Sequence, residues 1–486
     1  MKKIKLSLII FTLFLGLLLS ACGTATPTLS AEEKEAQLAT MVAATVEAAL
    51  ANPIADEVPD TPTDGEPASA AEATVAPAPV APATAAPVFY PDFSGLRVAY
   101  VKDGNIYVWT EGGSSVGLTN TGDVRQVSIS SDGLRIAYVR ELAGMPFAFE
   151  LWVVNADGGV LNPQLLVGQA EMVALKDASQ STFADGFDFD QIEFRPGTHD
   201  LYYSTVPRFM GPGYAPNYDL RMVNVDTVDK FMLFDFDQAG AFIFSPDGAQ
   251  IALSTPDHIS LVNADGSNLR SNVLTYPLVG TYSEYQYHPS PIWAPDSMSL
   301  RVTIPPADSF EEPTPPTSMW FLPVDGSAGT QLGSVQTMPL NWLDNAISPD
   351  MSYIAYAKRF GEPTDNSTEL HIAYADGSND YIFTSGGVIG FYGWTPDSTR
   401  FIYRMSTPDD QGLYVGSLVD GSSYIFTSDS SVYHSLAWVD NDRVIFIFEN
   451  PNTNASELRI SDQSSANKHA FIDTLTVSFP SYDFTK

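Results

Sequence analysis

From about Gly95 onward the chain alternates short apolar runs with polar, turn-forming clusters, and Ala241 to Leu269 shows the unit most plainly. Phe242 and Phe244 flank Ile243 in a first run, Ile251, Ala252 and Leu253 form a second, and Ile259, Leu261 and Val262 a third. Aromatic and β-branched residues in runs this short predict strands rather than helices. Ser245-Pro246-Asp247-Gly248 fits the positions of a type I turn, with proline presetting φ and glycine closing it. Asn263 to Gly266 predicts a second tight turn. The unit recurs at 127 to 133, reading VSISSDG, then at 192 to 198, 242 to 248, 291 to 297, 345 to 351, 392 to 398 and 436 to 442. Its turn prolines stand at 196, 246, 295, 349 and 396, about 50 residues apart, a period expected of a β-propeller whose blades are small antiparallel sheets. Two positions before these prolines stand Phe194, Phe244, Trp293, Ile347 and Trp394, predicted to be buried between blades.

These turns carry a resemblance. Ser245-Pro246-Asp247-Gly248, Ser348-Pro349-Asp350 and Thr395-Pro396-Asp397 are similar to the TolB-type, WD-repeat-like propeller repeat. So are the second turns Ala156-Asp157-Gly158, Ala264-Asp265-Gly266, Ala375-Asp376-Gly377 and Val419-Asp420-Gly421. The repeat is also seen in propeller domains of dipeptidyl peptidase and prolyl oligopeptidase relatives. The resemblance covers most of the chain after Gly95 and implies a fold, whereas function differs widely among such propellers. The third unit departs from it, with Gly197 and Thr198 in place of Asp-Gly and no Asp-Gly second turn.

The propeller begins with three strands, Leu96 to Tyr100, Asn105 to Trp109 and Val116 to Leu118, and no inner strand before them. A surplus strand, Thr474 to Phe479, remains at the C-terminus. The economical arrangement places this last strand in the first blade, closing the ring and leaving no unpaired rim. The expectation is therefore an all-β propeller of eight four-stranded blades over residues 92–486, or seven if the third unit or the segment from Gly168 to Asp190 is miscounted.

Upstream the character changes. Lys2, Lys3 and Lys5 precede an apolar run from Leu6 to Leu19 that ends in Leu19-Ser20-Ala21-Cys22. This reads as a signal peptide over 1–21, too short for an ordinary spanning helix, and its end resembles a bacterial lipobox. The resemblance implies lipidation of Cys22, the only cysteine in the 486 residues. Residues 22–51 hold the lipidated N-terminus and a capped amphipathic stretch, Ser30 to Leu50, with helical spacing. Residues 52–91 are a Pro/Ala-rich linker; from Asn52 to Pro87 it has almost no large apolar side chain and cannot fold alone. Extended, that stretch spans on the order of 110 Å. The localisation expected is extracytoplasmic, on a membrane at the cell surface or outer membrane.

With 24 basic against 58 acidic residues the formal charge is −34, and removal of the leader takes three lysines with it. Such a balance opposes nucleic-acid binding, and leaves the lipid as the only expected contact with a membrane. Gly113-Ser114-Ser115-Val116-Gly117 matches G-x-S-x-G but joins two strands, where a nucleophile elbow needs a strand-to-helix turn. The six histidines, at 199, 258, 288, 371, 434 and 469, lack metal-type spacing. Asp185, Asp188, Asp190 and Glu193 are the closest approach to a calcium loop, without an EF-hand glycine pattern. No other cofactor is expected.

Strand order places the first and third turns of each blade on one face, where they are short, and the long connections on the other. Long loops on a rigid scaffold are where binding residues sit. Their aromatic and imidazole side chains are Phe147, Phe149, Phe209, Tyr214, Tyr218, Tyr282, Tyr285, Tyr287 and His288. The function expected is a lipid-anchored, non-catalytic binding module for an envelope protein, peptide or glycan. Two alternatives stand beside it: a propeller hydrolase or lyase acting on polysaccharide, favoured if His288 or His434 meets carboxylates at the channel, and a structural envelope protein.

Overall fold

A computed structural model describes residues 95–485, apart from 144–146, 158–162, 180–183, 211–215, 284, 312, 339–345, 360–366, 408–410, 429–432, 463–468 and 476–480. The signal peptide, Cys22, the Ser30 to Leu50 stretch, the linker and Tyr214 lie outside the described residues. Eight antiparallel sheets follow one another around a ring. Blade II holds Val124–Ile129, Arg135–Glu141, Phe149–Asn155 and Gln164–Val167, innermost strand first. Blade III holds Gly186–Phe194, Asp200–Arg208, Leu220–Asn224 and Lys230–Phe234, and is complete despite its irregular turns. Blades IV, V, VII and VIII run over 241–275, 292–335, 388–427 and 433–475. In blade VI three strands between Tyr353 and Ser385 are joined by Ile347, whose single bridge to Ile354 takes the inner place.

Blade I is closed by the C-terminus, as expected, but not by the expected residues. Tyr482–Thr485 pairs antiparallel with Arg97–Tyr100, inside Asn105–Thr110 and Val116–Gly117. Thr474 instead belongs to the outer strand of blade VIII, His469–Leu475, paired with Glu457. Asp483 and Ser481 fix this choice of strand by reaching the inner strand of blade II, accepting from Ile129 N at 3.0 Å and Val127 N at 3.1 Å. The seven-blade alternative falls because the third unit forms a whole sheet.

The predicted turn chemistry explains the rest. Ser245 Oγ donates to Asp247 Oδ1 at 2.6 Å, and the same oxygen accepts from Ala249 N at 2.9 Å. Ser348 with Asp350 and Thr395 with Asp397 repeat the bond. Each turn also takes a hydroxyl or amide from a neighbouring blade: Asp247 N donates to Ser297 Oγ, Asp350 N to Ser398 Oγ and Asp397 N to Asn441 Oδ1. Gly248, at φ +68°, sits so close to Pro196 O that a Cβ would stand 2.8 Å away. The short-turn face is thereby knitted shut by its own polar groups.

Between blades lies the core. Phe194, Phe244, Trp293, Ile347 and Trp394 are all buried, as predicted. The tryptophans add a directional bond, since Trp293 Nε1 donates to Ile243 O at 3.1 Å and Trp394 Nε1 to Ala346 O at 2.8 Å, each in the preceding blade. An insertion not foreseen, helix α1 (Gln169–Ala178), follows blade II and packs Met172 beside Phe187. Among the described residues no helix is long and apolar enough to cross a membrane.

Candidate binding face

The long-loop side carries three groups of side chains, and the expected residues distribute among them unevenly. The first spans the mouth between blades II and III. Asp188, on the inner strand of blade III, is buried, and its Oδ2 accepts from Arg208 Nη2 at 2.6 Å and Nε at 3.0 Å. Arg125 Nη1, from the inner strand of blade II, approaches the same oxygen at 3.3 Å and Glu141 Oε2 at 3.4 Å. Beneath Arg125 lies Phe149, with the guanidinium 4.9 Å from the ring centroid. Phe147 completes the wall, its carbonyl so close to Gly186 that a Cβ there would stand 2.3 Å from it. Sequence reasoning singled out Phe149 and Asp188 separately and missed both arginines that join them. Basic residues are scarce in so acidic a chain, and one on the inner strand of blade II with another at the end of the second strand of blade III were the available signal.

The second group joins a loop of blade III to the connection between blades IV and V. Tyr218, in the left-handed region at φ +49°, meets His288, Oη to Nε2 2.9 Å. The phenol is pushed up to about 12, first by burial and then by Asp190, Asp257 and Asp237, so it holds its proton at neutral pH. The side chain of His434 lies outside the described residues.

The third group is an exposed aromatic pair. Tyr282 is 64% and Phe310 53% exposed, with ring centroids 4.9 Å apart at 85°. Tyr282 Oη donates to Asp308 Oδ1 at 2.5 Å, and that oxygen also accepts from Phe310 N at 2.8 Å. This hydrogen bond holds the Asp308 carboxyl below the usual carboxylate range and raises the phenol. The Tyr282 backbone sits at φ +55°, unusual for an aromatic residue. Phe310 and Asp308 were not anticipated.

Other expected positions face elsewhere. Tyr287 is buried, at 8% exposure. Tyr285 and Phe209 are half-buried, Tyr285 offering its carbonyl to Thr281 Oγ1. Asp185, Asp188, Asp190 and Glu193 do not converge: among the described residues no three His, Cys, Asp or Glu side chains are placed to hold a metal ion. Asp188 is held by arginines, Asp185 Oδ2 accepts from Met210 N at 3.0 Å, and Glu193 accepts from Gln191 Nε2 at 3.2 Å. An alternating strand cannot turn all four inward at once. His199 and His371 are each lodged between two carboxylates, Asp132 and Asp226 for the first, Glu369 and Asp380 for the second.

Neither a protein-family model nor a curated protein sequence matches the chain. Among solved structures it is similar to dipeptidyl peptidase 4 of Porphyromonas gingivalis, at 10% identity and TM-score 0.48 over 77% of this chain and 57% of that one. It is similar to an oligogalacturonate lyase in complex with manganese, at 12% identity and TM-score 0.43 over 74% of this chain and 95% of that one. TolB of Acinetobacter baumannii shares 15% identity at TM-score 0.31 over 58% of this chain and 69% of that one. These are likenesses of fold, and they include the TolB and dipeptidyl peptidase propellers that the turn motifs resemble.

Proposed function

We propose that the chain is a lipid-anchored, extracytoplasmic binding module, held to a membrane through Cys22 and presenting its long-loop face to an envelope protein, peptide or glycan. The observation that carries the reading is the Tyr282 and Phe310 pair. Two large rings are left exposed, while Asp308 and an unusual backbone conformation fix the tyrosine. Strained, pre-ordered aromatics at a loop surface lower the entropy lost on binding and supply contact area. The reading requires no metal or other cofactor.

One observation favours the alternative of a hydrolase or lyase on polysaccharide: the Tyr218 and His288 pair stands within the field of Asp190 and Asp257. A phenol that keeps its proton is suited to hold a ligand oxygen or donate to it, and unsuited to act as a base at neutral pH.

Capture from envelope extract by the full chain decides between them. The double substitution Tyr282→Ala and Phe310→Ala is expected to reduce capture at least tenfold, while Cys22→Ser releases the protein from the membrane fraction and leaves capture intact. Undiminished capture by the double variant refutes this face, and shortening of a polysaccharide that stops with His288→Asn establishes the enzyme reading.

A further inference from the structure

We infer that Arg125 and Arg208 form a receptor for a carboxylate presented by an acidic peptide segment. The inference rests on the reading of the long-loop face as a binding surface and adds the chemistry of one ligand group. Both guanidiniums converge on a single oxygen of Asp188, whose side chain is 3% exposed. The other oxygen of Asp188 accepts from Phe189 N at 2.8 Å. One buried negative charge thus stands against two positive ones. Arg125 and Arg208 remain 41% and 39% exposed. Their bonds in the structure use Nη1 of Arg125 and Nε and Nη2 of Arg208. Arg125 Nη2 and Arg208 Nη1 are thereby left for an incoming acceptor, and a planar guanidinium presents its donors in a fork that matches a carboxylate.

The backbone supports the assignment independently. Val124 pairs with Arg140 and Gln126 with Val139, so Arg125 is the extra residue of a β-bulge. A bulge re-aims one side chain out of the ladder, here across to the neighbouring blade, and Phe149 supports the re-aimed guanidinium from below. Glu141, half-exposed and 3.4 Å from Arg125 Nη1, is a carboxylate already held by the same guanidinium, and a ligand carboxylate competes with it for that charge. The choice of a peptide follows from Met210. It is 89% exposed, two residues from Arg208, with its amide held by Asp185. A flexible thioether beside a cationic pair suits a carboxylate with an apolar neighbour, as in a peptide, better than a uniformly hydroxylated sugar. The net charge of −34 does not forbid an acidic partner, because repulsion from distant carboxylates is screened beyond about 8 Å at physiological salt.

Saturation-transfer NMR on the full chain in detergent tests this with acetyl-Leu-Glu-Leu-amide, acetyl-Leu-Gln-Leu-amide and sodium glucuronate as probes. The glutamate peptide is expected to saturate at least tenfold tighter than its glutamine twin, and Arg125→Gln or Arg208→Gln to abolish the difference. Glu141→Gln, a half-exposed change that keeps the test readable should an arginine variant misfold, is expected to tighten the glutamate peptide about two- to fivefold. Equal binding of the two peptides, or no gain with Glu141→Gln, overturns the carboxylate receptor; glucuronate tighter than the peptide overturns the peptide class. Because the signal is read on small probes, its failure leaves the capture experiment standing, and failed capture leaves this signal standing.

Discussion

Removing the Asp483 carboxylate tests how the ring is held. This side chain is 7% exposed and bridges the C-terminal strand to blade II, accepting from Ile129 N at 3.0 Å and Ser128 Oγ at 3.3 Å. Ile129 is fully buried, so Asp483→Ala strands its N–H away from water. An orphaned buried donor costs about 1–3 kcal/mol, and the lost ionic acceptor puts the substitution near the upper end. Ser128 can turn its hydroxyl elsewhere and adds less. The total expected is about 2–4 kcal/mol, a large fraction of a typical net stability of about 5–15 kcal/mol. Asp483→Asn keeps an oxygen acceptor and forfeits only the charge, for about 1 kcal/mol. Truncation before Tyr482 also removes the four pairs from Arg97–Thr485 to Tyr100–Tyr482, and with them the inner strand of blade I. Urea midpoints at unchanged slope measure the point variants, and a changed slope in the truncation reports added exposure. A loss below about 0.5 kcal/mol for Asp483→Ala, or a truncated chain with the wild-type midpoint, refutes closure through this strand.

Two further outcomes follow from the inter-blade contacts. Burial alone would lower the His199 pKa, yet bonds to Asp132 and Asp226 raise it above the ordinary histidine value, and those two carboxyls are held below theirs. The raised group contributes fully below about pH 6.5 and its share is lost as pH rises through the folded value; the depressed carboxyls contribute above about pH 3.9 and lose theirs as pH falls through their folded values. Thermal melts from pH 5 to 9 are therefore expected to show a declining alkaline limb that His199→Gln flattens, and parallel declines in both proteins refute the staple. Trp394→Phe keeps an aromatic ring between blades VI and VII but removes one of the two donors to Ala346 O, which keeps Ala355 N at 2.9 Å, with an expected loss of about 0.5–1.5 kcal/mol in urea; an unchanged midpoint shows the bond contributes nothing.

What could be read in advance divides along locality. The Ser-Pro-Asp turns were legible because the bonds that shape each turn lie within five residues: Ser245 reaches Asp247 and Gln250, and Asp247 reaches Ala249. The number of blades followed from the same repeat. Which C-terminal segment closes the ring did not, because Thr474 to Phe479 and Tyr482–Thr485 have similar strand composition, and the choice is made by Asp483 bonding to a residue 354 positions away. The third unit looked irregular for the same reason. It replaces a local Asp-Gly turn with His199, whose partners lie 67 and 27 positions off, and with an Asn224 side chain that accepts from Asp226 N and Thr227 N. Loop aromatics were identified by type alone, and an irregular loop has no alternation to tell an inward ring from an outward one, so Tyr287 and Tyr282 looked equivalent. The mouth between blades II and III is the extreme case: Arg125, Asp188 and Arg208 are 63 and 20 positions apart, and only the bulge at Arg125 and the stacking of adjacent blades make neighbours of them. A site built from single residues on three strands of two blades leaves almost no local mark, because each strand contributes one side chain to it and its remainder to the core.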